Sequence, residues 1–267
     1  NYHTKKKQVF IVGTKGIPAA YGGFETFVEK LTEYQVNDNI RYHVARIGND
    51  IMRYEYNGAK CFNINVPNIG AAKAIYYDVV ALQHCINYCK ARPAIIHPIF
   101  YVLACRIGPF IYYFKRQIKK LGGMLYVNPD GHEWKRAKWS APVRKYWKLS
   151  ESLMVKHADL FICDSKNIEK YIQEEYRQYQ PKTTYIAYGA EIKDPILADY
   201  DNNYILWLED KGLKPKSYYL VVGRFVPENN YETMIREFIK SKSIHDFVII
   251  TNVNNKFLDD LEAKLQY

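Results

Sequence analysis

Several common signatures are missing from this 267-residue sequence, and each absence removes a class of function. Cysteine is sparse: five residues, at 61, 85, 89, 105 and 163, with no C-x-x-C spacing. Cys85 and Cys89 lie four apart in a helical pattern, so reduced thiols packed in a core, as in a cytosolic protein, are expected rather than a metal site. The longest apolar stretch, Ala94 to Phe114, is broken by His97, Pro98, Arg106 and Gly108-Pro109. It reads as a buried strand, a loop and a helix, and not as a membrane span. No signal-peptide pattern opens the chain. The G-x-G-x-x-G spacing of dinucleotide-binding folds and the G-K-[ST] of nucleotide-triphosphate loops are both absent, so the NAD and ATPase readings are weak. No D-x-D pair stands at a plausible strand end. RNP, zinc-finger and helix-turn-helix signatures are missing too, and no nucleic-acid partner is expected.

What is present is an ordinary globular composition, 48% hydrophobic and 25% charged, with a net charge of +10. That balance favours an acidic partner, such as a phosphorylated ligand or an anionic membrane. The chain is organised around residues 9–31. Val9 to Val12 is a short β-branched run that reads as a buried strand. From Phe24 the period changes, and Phe24, Phe27, Val28 and Leu31 mark one face of a helix. The intervening loop holds Gly13, Gly16, Gly22 and Gly23. Strand, glycine-rich turn and helix is the arrangement that brings backbone N–H groups against a phosphate. An ordinary βα turn is an equal reading of the glycines alone.

Further along, strands are expected at Tyr42–Ile47, Cys61–Val66, Ala94–His97, Met124–Val127, Ala158–Asp164 and Thr183–Ala187. Helices are expected over Ala71–Lys90, up to about Lys120, and after Ser165, a candidate N-cap. This alternation predicts an α/β fold with a parallel sheet and helices on both faces. Ligands in such sheets bind at the carboxyl ends of strands, here Gly13, His97 and Asp130. A histidine at a strand end is commonly a satisfied structural residue, and Asp130-Gly131 is also a turn sequence. A second strand–loop–helix opening follows at Tyr218–Val222 and Gly223-Arg224, then a helix over 230–242 and a strand at Phe247–Thr251. Residues 133–157 mix Lys and Arg with Trp134, Trp139, Trp147 and Tyr146. Such a mixture suits a lipid headgroup layer, or a helix whose rings pack inward and whose lysines are solvated.

Three stretches together carry a family resemblance: Gly-Thr-Lys-Gly-Ile-Pro-Ala-Ala-Tyr-Gly-Gly-Phe-Glu-Thr from Gly13, Asn-Pro-Asp-Gly-His-Glu-Trp-Lys-Arg from Asn128, and Gly-Arg-Phe-Val-Pro-Glu-Asn-Asn from Gly223. The sequence resembles bacterial rhamnosyltransferases of glycosyltransferase family four, which build capsule, exopolysaccharide and cell-wall polysaccharide. The resemblance implies the GT-B fold, two Rossmann-like domains, with retention of anomeric configuration. It implies a nucleotide-sugar donor, dTDP-rhamnose in the nearest relatives, and a lipid-pyrophosphate-linked sugar acceptor. A peripheral position on the inner face of the cell membrane follows. The alternatives are a UDP-sugar-dependent hexosyltransferase of the same fold and a non-catalytic nucleotide-sugar-binding protein.

Under that resemblance Arg224 holds the donor diphosphate, since a guanidinium binds two phosphate oxygens at once. Five residues on, where many relatives carry lysine, stands Asn229. Lys15 is the candidate replacement cation. Asp130 occupies the place of a histidine in many relatives, near the reacting carbon, and is the second catalytic candidate. Gly16, Gly22, Gly23 and Glu228 complete the expected donor side, and Tyr21, Glu133 and Lys135 the acceptor side. No cofactor is expected and no protein nucleophile is assigned: basic residues take the place of a metal, and the donor phosphate takes the acceptor proton. The expected boundaries are 1–193 for the acceptor-side domain, 194–216 for a linker, and 217–267 for an incomplete donor domain. The chain is thus expected to be a fragment, without measurable transferase activity alone.

Overall fold

A computed structural model describes residues 6–20, 22–50, 52–136 and 139–265. Contacts divide the chain into two units, the first running to residue 135 and over 139–189, the second from Ala190 onward.

The first unit is built on a sheet of eight strands. In chain order these are β1 (Lys7–Val12), β2 (Ile40–Ile47), β3 (Arg53–Tyr56), β4 (Ala59–Ile64), β5 (Ile99–Leu103), β6 (Met124–Asn128), β7 (Leu160–Cys163) and β8 (Thr183–Tyr185). Their spatial order is β3-β4-β2-β1-β5-β6-β7-β8, parallel throughout except for the β3–β4 hairpin. The hairpin follows from Asn57-Gly58, both at positive φ, the tight turn that a two-residue hairpin needs. The helices of this unit are α1 (Gly23–Glu33), α2 (Lys73–Lys90), α3 (Gly108–Lys120), α4 (Ala141–His157) and α5 (Lys166–Glu175).

Alternation along β1 and β5 separates two apolar layers, because successive strand residues point to opposite faces. Phe10, Val12, Phe100 and Val102 pack with Leu82 of α2, Ile111 of α3 and Met154 of α4. Ile11, Tyr101 and Leu103 pack with Val28, Phe24 and Phe27 of α1 on the other face. All five β5 residues are buried, as a central parallel strand covered on both faces requires. The five cysteines are free and buried, and burial raises the Cys61 thiol to about 11.

One strand lies elsewhere than the sequence suggests. Ala94–His97 is not a strand; β5 begins at Ile99, Ile96 is 62% exposed, and His97 sits at φ 49 with Nδ1 3.0 Å from the Gly122 carbonyl oxygen. Two prolines, at 93 and 98, bracket the segment and hold it out of the ladder. His97 is therefore at the amino end of β5, away from the carboxyl ends where ligands bind.

The second unit contains α6 (Asn202–Asp210), β9 (Tyr218–Val222), α7 (Tyr231–Ser241), β10 (Asp246–Ile250) and α8 (Asn255–Leu265). β9 and β10 form a parallel pair. Its small core centres on Phe225, Tyr231 and Leu261. Among the described residues, no helix of the chain is long and apolar enough to cross a membrane.

Candidate active site at the carboxyl ends of the sheet

The sheet reverses its winding between β1 and β5, which places a crevice outside their carboxyl ends. Gly13 closes β1 at φ 97, and a Cβ there would lie 2.2 Å from the Leu103 carbonyl oxygen. Only glycine lets the two strand ends approach so closely. The adjoining loop is tied down on every side. The Tyr77 hydroxyl donates to the Thr14 carbonyl at 2.6 Å, and both terminal nitrogens of Arg106 donate to the Gly13 carbonyl at 3.2 Å.

Arg106 leaves the end of β5 and forms an ion pair with Asp78 of α2, 2.9 Å at closest. Asp78 is fully buried; burial raises its carboxyl to about 6 although Arg106 pulls it down. Burial opposes the charge of Arg106, and Asp78 outweighs it with help from Asp130 and Glu133, so the guanidinium pKa is raised. The Arg106 carbonyl in turn accepts from the Tyr146 hydroxyl at 2.8 Å. This pair was not legible as a site, because Asp78 and Arg106 stand 28 residues apart with no motif joining them.

Two backbone N–H groups of the first loop are engaged from within. Lys15 N donates to Glu25 Oε1 at 2.6 Å, Thr14 Oγ1 donates to the same oxygen at 3.1 Å, and Gly16 N donates to Thr14 Oγ1 at 3.2 Å. Glu25, buried in the first turn of α1, holds the first two donors, and Thr14 holds the third. Gly16 serves close packing, since a Cβ there would lie 2.4 Å from Arg46. Gly22, at φ 127, gives way to the Glu25 carboxylate, while a Cβ on Gly23 would meet nothing within 4 Å. The exposed Lys15 side chain remains available to a ligand. Tyr21 lies outside the described residues.

Next along the crevice, Asn128 ends β6 with 1% exposure. Its backbone oxygen accepts from Ala104 N at 2.9 Å, its Oδ1 accepts from Asp130 N at 2.9 Å, and its Nδ2 donates to the Tyr188 hydroxyl at 3.0 Å. It thereby fixes two non-glycine residues in the left-handed region, Ala104 at φ 71 and Asp130 at φ 60. Such strain persists where the surroundings over-determine it, and it concentrates at functional sites. Asp130 is half-buried at the crest. Burial raises the Tyr188 hydroxyl to about 12.

Behind Asp130 the chain turns through Glu133–Lys135 onto α4 and α5. Glu133 Oε1 accepts from Trp139 Nε1 at 2.9 Å, and exposed Lys135 lies 5.0 Å over the Trp134 ring. Lys148 also stands over that ring, at 4.6 Å, and Trp134 Nε1 donates to the Tyr171 hydroxyl at 3.2 Å. Lys148 pairs in addition with Glu175 at 2.6 Å. The hydroxyls of Tyr171 and Tyr176 both donate to Glu151, whose carboxyl burial raises. Trp147 is buried and tilts against Trp139 at 5.8 Å. Trp147 is thus packed into the unit, whereas Trp134 and Trp139 are half-buried with their N–H groups engaged by Tyr171 and Glu133. Positions 137 and 138 of that stretch lie outside the described residues.

The second unit holds the remaining candidates, described by themselves. β9 ends at Gly223, whose N–H donates to the Ile250 carbonyl at 3.1 Å. Arg224 is exposed on the following turn. Asn229 Nδ2 donates to the Arg224 carbonyl at 2.7 Å, so this side chain shapes the turn that carries Arg224. Glu228 is exposed beside it, within the turn Pro227–Asn229.

The fold is that of the GT-B glycosyltransferases. A sucrose-phosphate synthase from Thermosynechococcus elongatus superposes with a TM-score of 0.65 at 15% identity, over 94% of this chain and 64% of that one. Arabidopsis thaliana UGT89C1, solved with UDP-L-rhamnose, matches with a TM-score of 0.52 at 12% identity, over 94% and 66%. A UDP-glucose:anthocyanidin 3-O-glucosyltransferase, solved with UDP, matches equally at 0.52 and 12%, over 96% and 68%. The chain therefore spans somewhat less than two thirds of the synthase it matches. No curated protein matches the sequence. The model of the family described as a domain of unknown function, DUF1972, matches residues 6–191, and the chain belongs to that family.

Proposed function

We propose that the chain belongs to a retaining, metal-independent glycosyltransferase that moves L-rhamnose from dTDP-rhamnose to a lipid-pyrophosphate-linked sugar in polysaccharide synthesis. The observation that carries this reading is the crest at the switch point, where Asn128 holds Asp130 in a strained conformation beside the Arg106–Asp78 pair. In this reading Asp130 orients the acceptor hydroxyl, and Glu133 and Lys135 border the acceptor. In the second unit Arg224, exposed on the turn after β9, takes the donor diphosphate, with Glu228 and Asn229 beside it. The donor phosphate receives the acceptor proton, so no protein nucleophile is needed. A lipid-linked acceptor places the enzyme at the inner face of the cell membrane.

A UDP-sugar donor is the second reading, favoured by the UDP-L-rhamnose and UDP of two proteins with similar folds. Titration with dTDP, UDP, GDP and an unrelated oligonucleotide separates the two. Preference for dTDP supports the first reading and preference for UDP the second. Binding of the oligonucleotide alone overturns both. A donor screen against a lipid-linked GlcNAc acceptor then identifies the transferred sugar.

A further inference from the structure

A more exposed aromatic and basic face than that of residues 133–157 lies on α3. α3 contains no Asp or Glu and carries Lys115, Arg116, Lys119 and Lys120. Lys115 turns toward Asp159 and is neutralised there. The other three are exposed and have no carboxylate partner among the described residues. Tyr112 and Tyr113 are 58% and 61% exposed on the same helix. At 100° per residue, Tyr112, Tyr113, Arg116, Lys119 and Lys120 fall within one arc of about 120°, opposite buried Ile111, Phe114 and Ile118. Arg116 stands 6.0 Å from the Tyr112 ring.

We propose that this face of α3 docks the protein on an anionic lipid bilayer. Charge and shape both select that occupant. The face is uniformly basic, it is the convex side of a helix and not a groove, and its apolar groups are tyrosines, which settle where ring and hydroxyl meet headgroups. The neighbouring helix α4 borders it, with the His157 ring 5.4 Å from that of Tyr112. α3 also starts at the crevice, two residues after Arg106, with Phe110 in its first turn 46% exposed. From there the helix runs back along the sheet, and Arg116, Lys119 and Lys120 lie in its second half, toward the amino end of β6, so a bilayer touching this face lies along the flank of the sheet. The proposal rests on the glycosyltransferase reading only for the lipid-linked acceptor that such a bilayer supplies.

Vesicle flotation of the 267-residue chain tests it, with phosphatidylcholine alone or mixed with phosphatidylglycerol. Binding is expected only to the anionic vesicles and is expected to fall as salt rises. Joint replacement Arg116→Gln, Lys119→Gln and Lys120→Gln is expected to weaken it about a hundredfold, from about 1 kcal/mol per basic residue. Tyr112→Ser with Tyr113→Ser is expected to weaken it further, whereas Lys166→Gln with Lys170→Gln on α5 leaves it unchanged. All these side chains are exposed, so thermal unfolding is expected to stay constant and to exclude misfolding. Equal binding to neutral vesicles, an unaffected triple variant, or no vesicle binding would overturn the docking face. Nucleotide titration of the same samples keeps the two readings apart, since lost vesicle binding with intact nucleotide binding contradicts the face alone.

Discussion

The chain contains two strand–loop–helix openings, and they are built to opposite ends. In the first, β1 runs into a loop whose residues are engaged one after another: Gly13 by Leu103 and Arg106, Thr14 by Tyr77, Lys15 by Glu25, Gly16 by Arg46. In the second, β9 runs into Gly223 and Arg224, where the side chain of Arg224 is exposed and Asn229 holds only the backbone beneath it. The strands differ likewise. Phe10 to Val12 of β1 and the glycine that closes it are all buried, whereas no residue of β9 is buried. A loop fixed from within acts as a wall that positions its neighbours. A loop that leaves a guanidinium in solvent is where the proposed donor contact is made.

Substitutions at the two openings should therefore separate stability from binding. Gly13→Ala combines a left-handed backbone with a Cβ 2.2 Å from a carbonyl oxygen, and we expect a loss of about 4 kcal/mol in unfolding free energy. A change below about 1 kcal/mol would show that the strand ends separate easily. Asp78→Ala leaves half-buried Arg106 against Gly13 without its carboxylate, and about 3 kcal/mol should be lost in the same denaturation experiment. Arg224→Ala should behave in the opposite way. Unfolding free energy stays within about 0.5 kcal/mol, while dTDP or UDP binding weakens and transition-state stabilisation falls by about 2–4 kcal/mol. Unchanged nucleotide affinity and kinetics would remove Arg224 from the donor site.

The smallest effect is a pH dependence of the first unit. His43 is buried with Nε2 2.7 Å from Gln8 Oε1, and desolvation, assisted by Lys60, Arg41 and Arg92, lowers it to about 3. The unfolded chain takes up a proton near pH 6.5 that the folded chain refuses, so stability present above 6.5 is lost as pH falls toward 3. Asp78 acts oppositely. Its folded value near 6 exceeds the unfolded 3.8, so the folded chain holds an extra proton between those values and gains stability there as pH falls. The net loss from about pH 7 to about pH 5 should be about 1 kcal/mol or less. His43→Asn should flatten or reverse the slope in denaturant titrations; an unchanged slope would place the acid sensitivity elsewhere.

Periodicity made most of the first unit legible. The apolar spacing of Phe24, Phe27, Val28 and Leu31 located α1, and Ser165 caps α5 by accepting from Ile168 N at 3.3 Å. Periodicity failed where local composition and tertiary context disagree. Ala94-Ile95-Ile96 is as apolar as a strand but is flanked by prolines, and the buried run that starts at Ile99 wins the place in the sheet. β3 is short and alternates exposed with half-buried residues, too weak a pattern to stand out. At the site, Asp130 was visible from the turn sequence and the family likeness. Asn128, Asp78, Arg106 and Glu25 were not, because each acts through a partner that only the folded sheet supplies. The tryptophans at 134, 139 and 147 were visible as a cluster, but sequence alone left their direction open; Trp147 is buried, and Trp134 and Trp139 are half-buried with their N–H groups donating to Tyr171 and Glu133.

The central claim is that the crest held by Asn128 carries the acceptor and that Asp130 acts on it. The most direct measurement is the kinetics of Asp130→Asn in a catalytically active chain containing these residues, with labelled dTDP-rhamnose and a lipid-linked GlcNAc acceptor. Asparagine preserves the shape and the tolerance of a left-handed backbone, so the fold should persist. We expect kcat to fall by about 10²–10⁴-fold with dTDP affinity unchanged. Turnover equal to that of the unaltered chain, or an equal loss of nucleotide binding, would contradict the assignment.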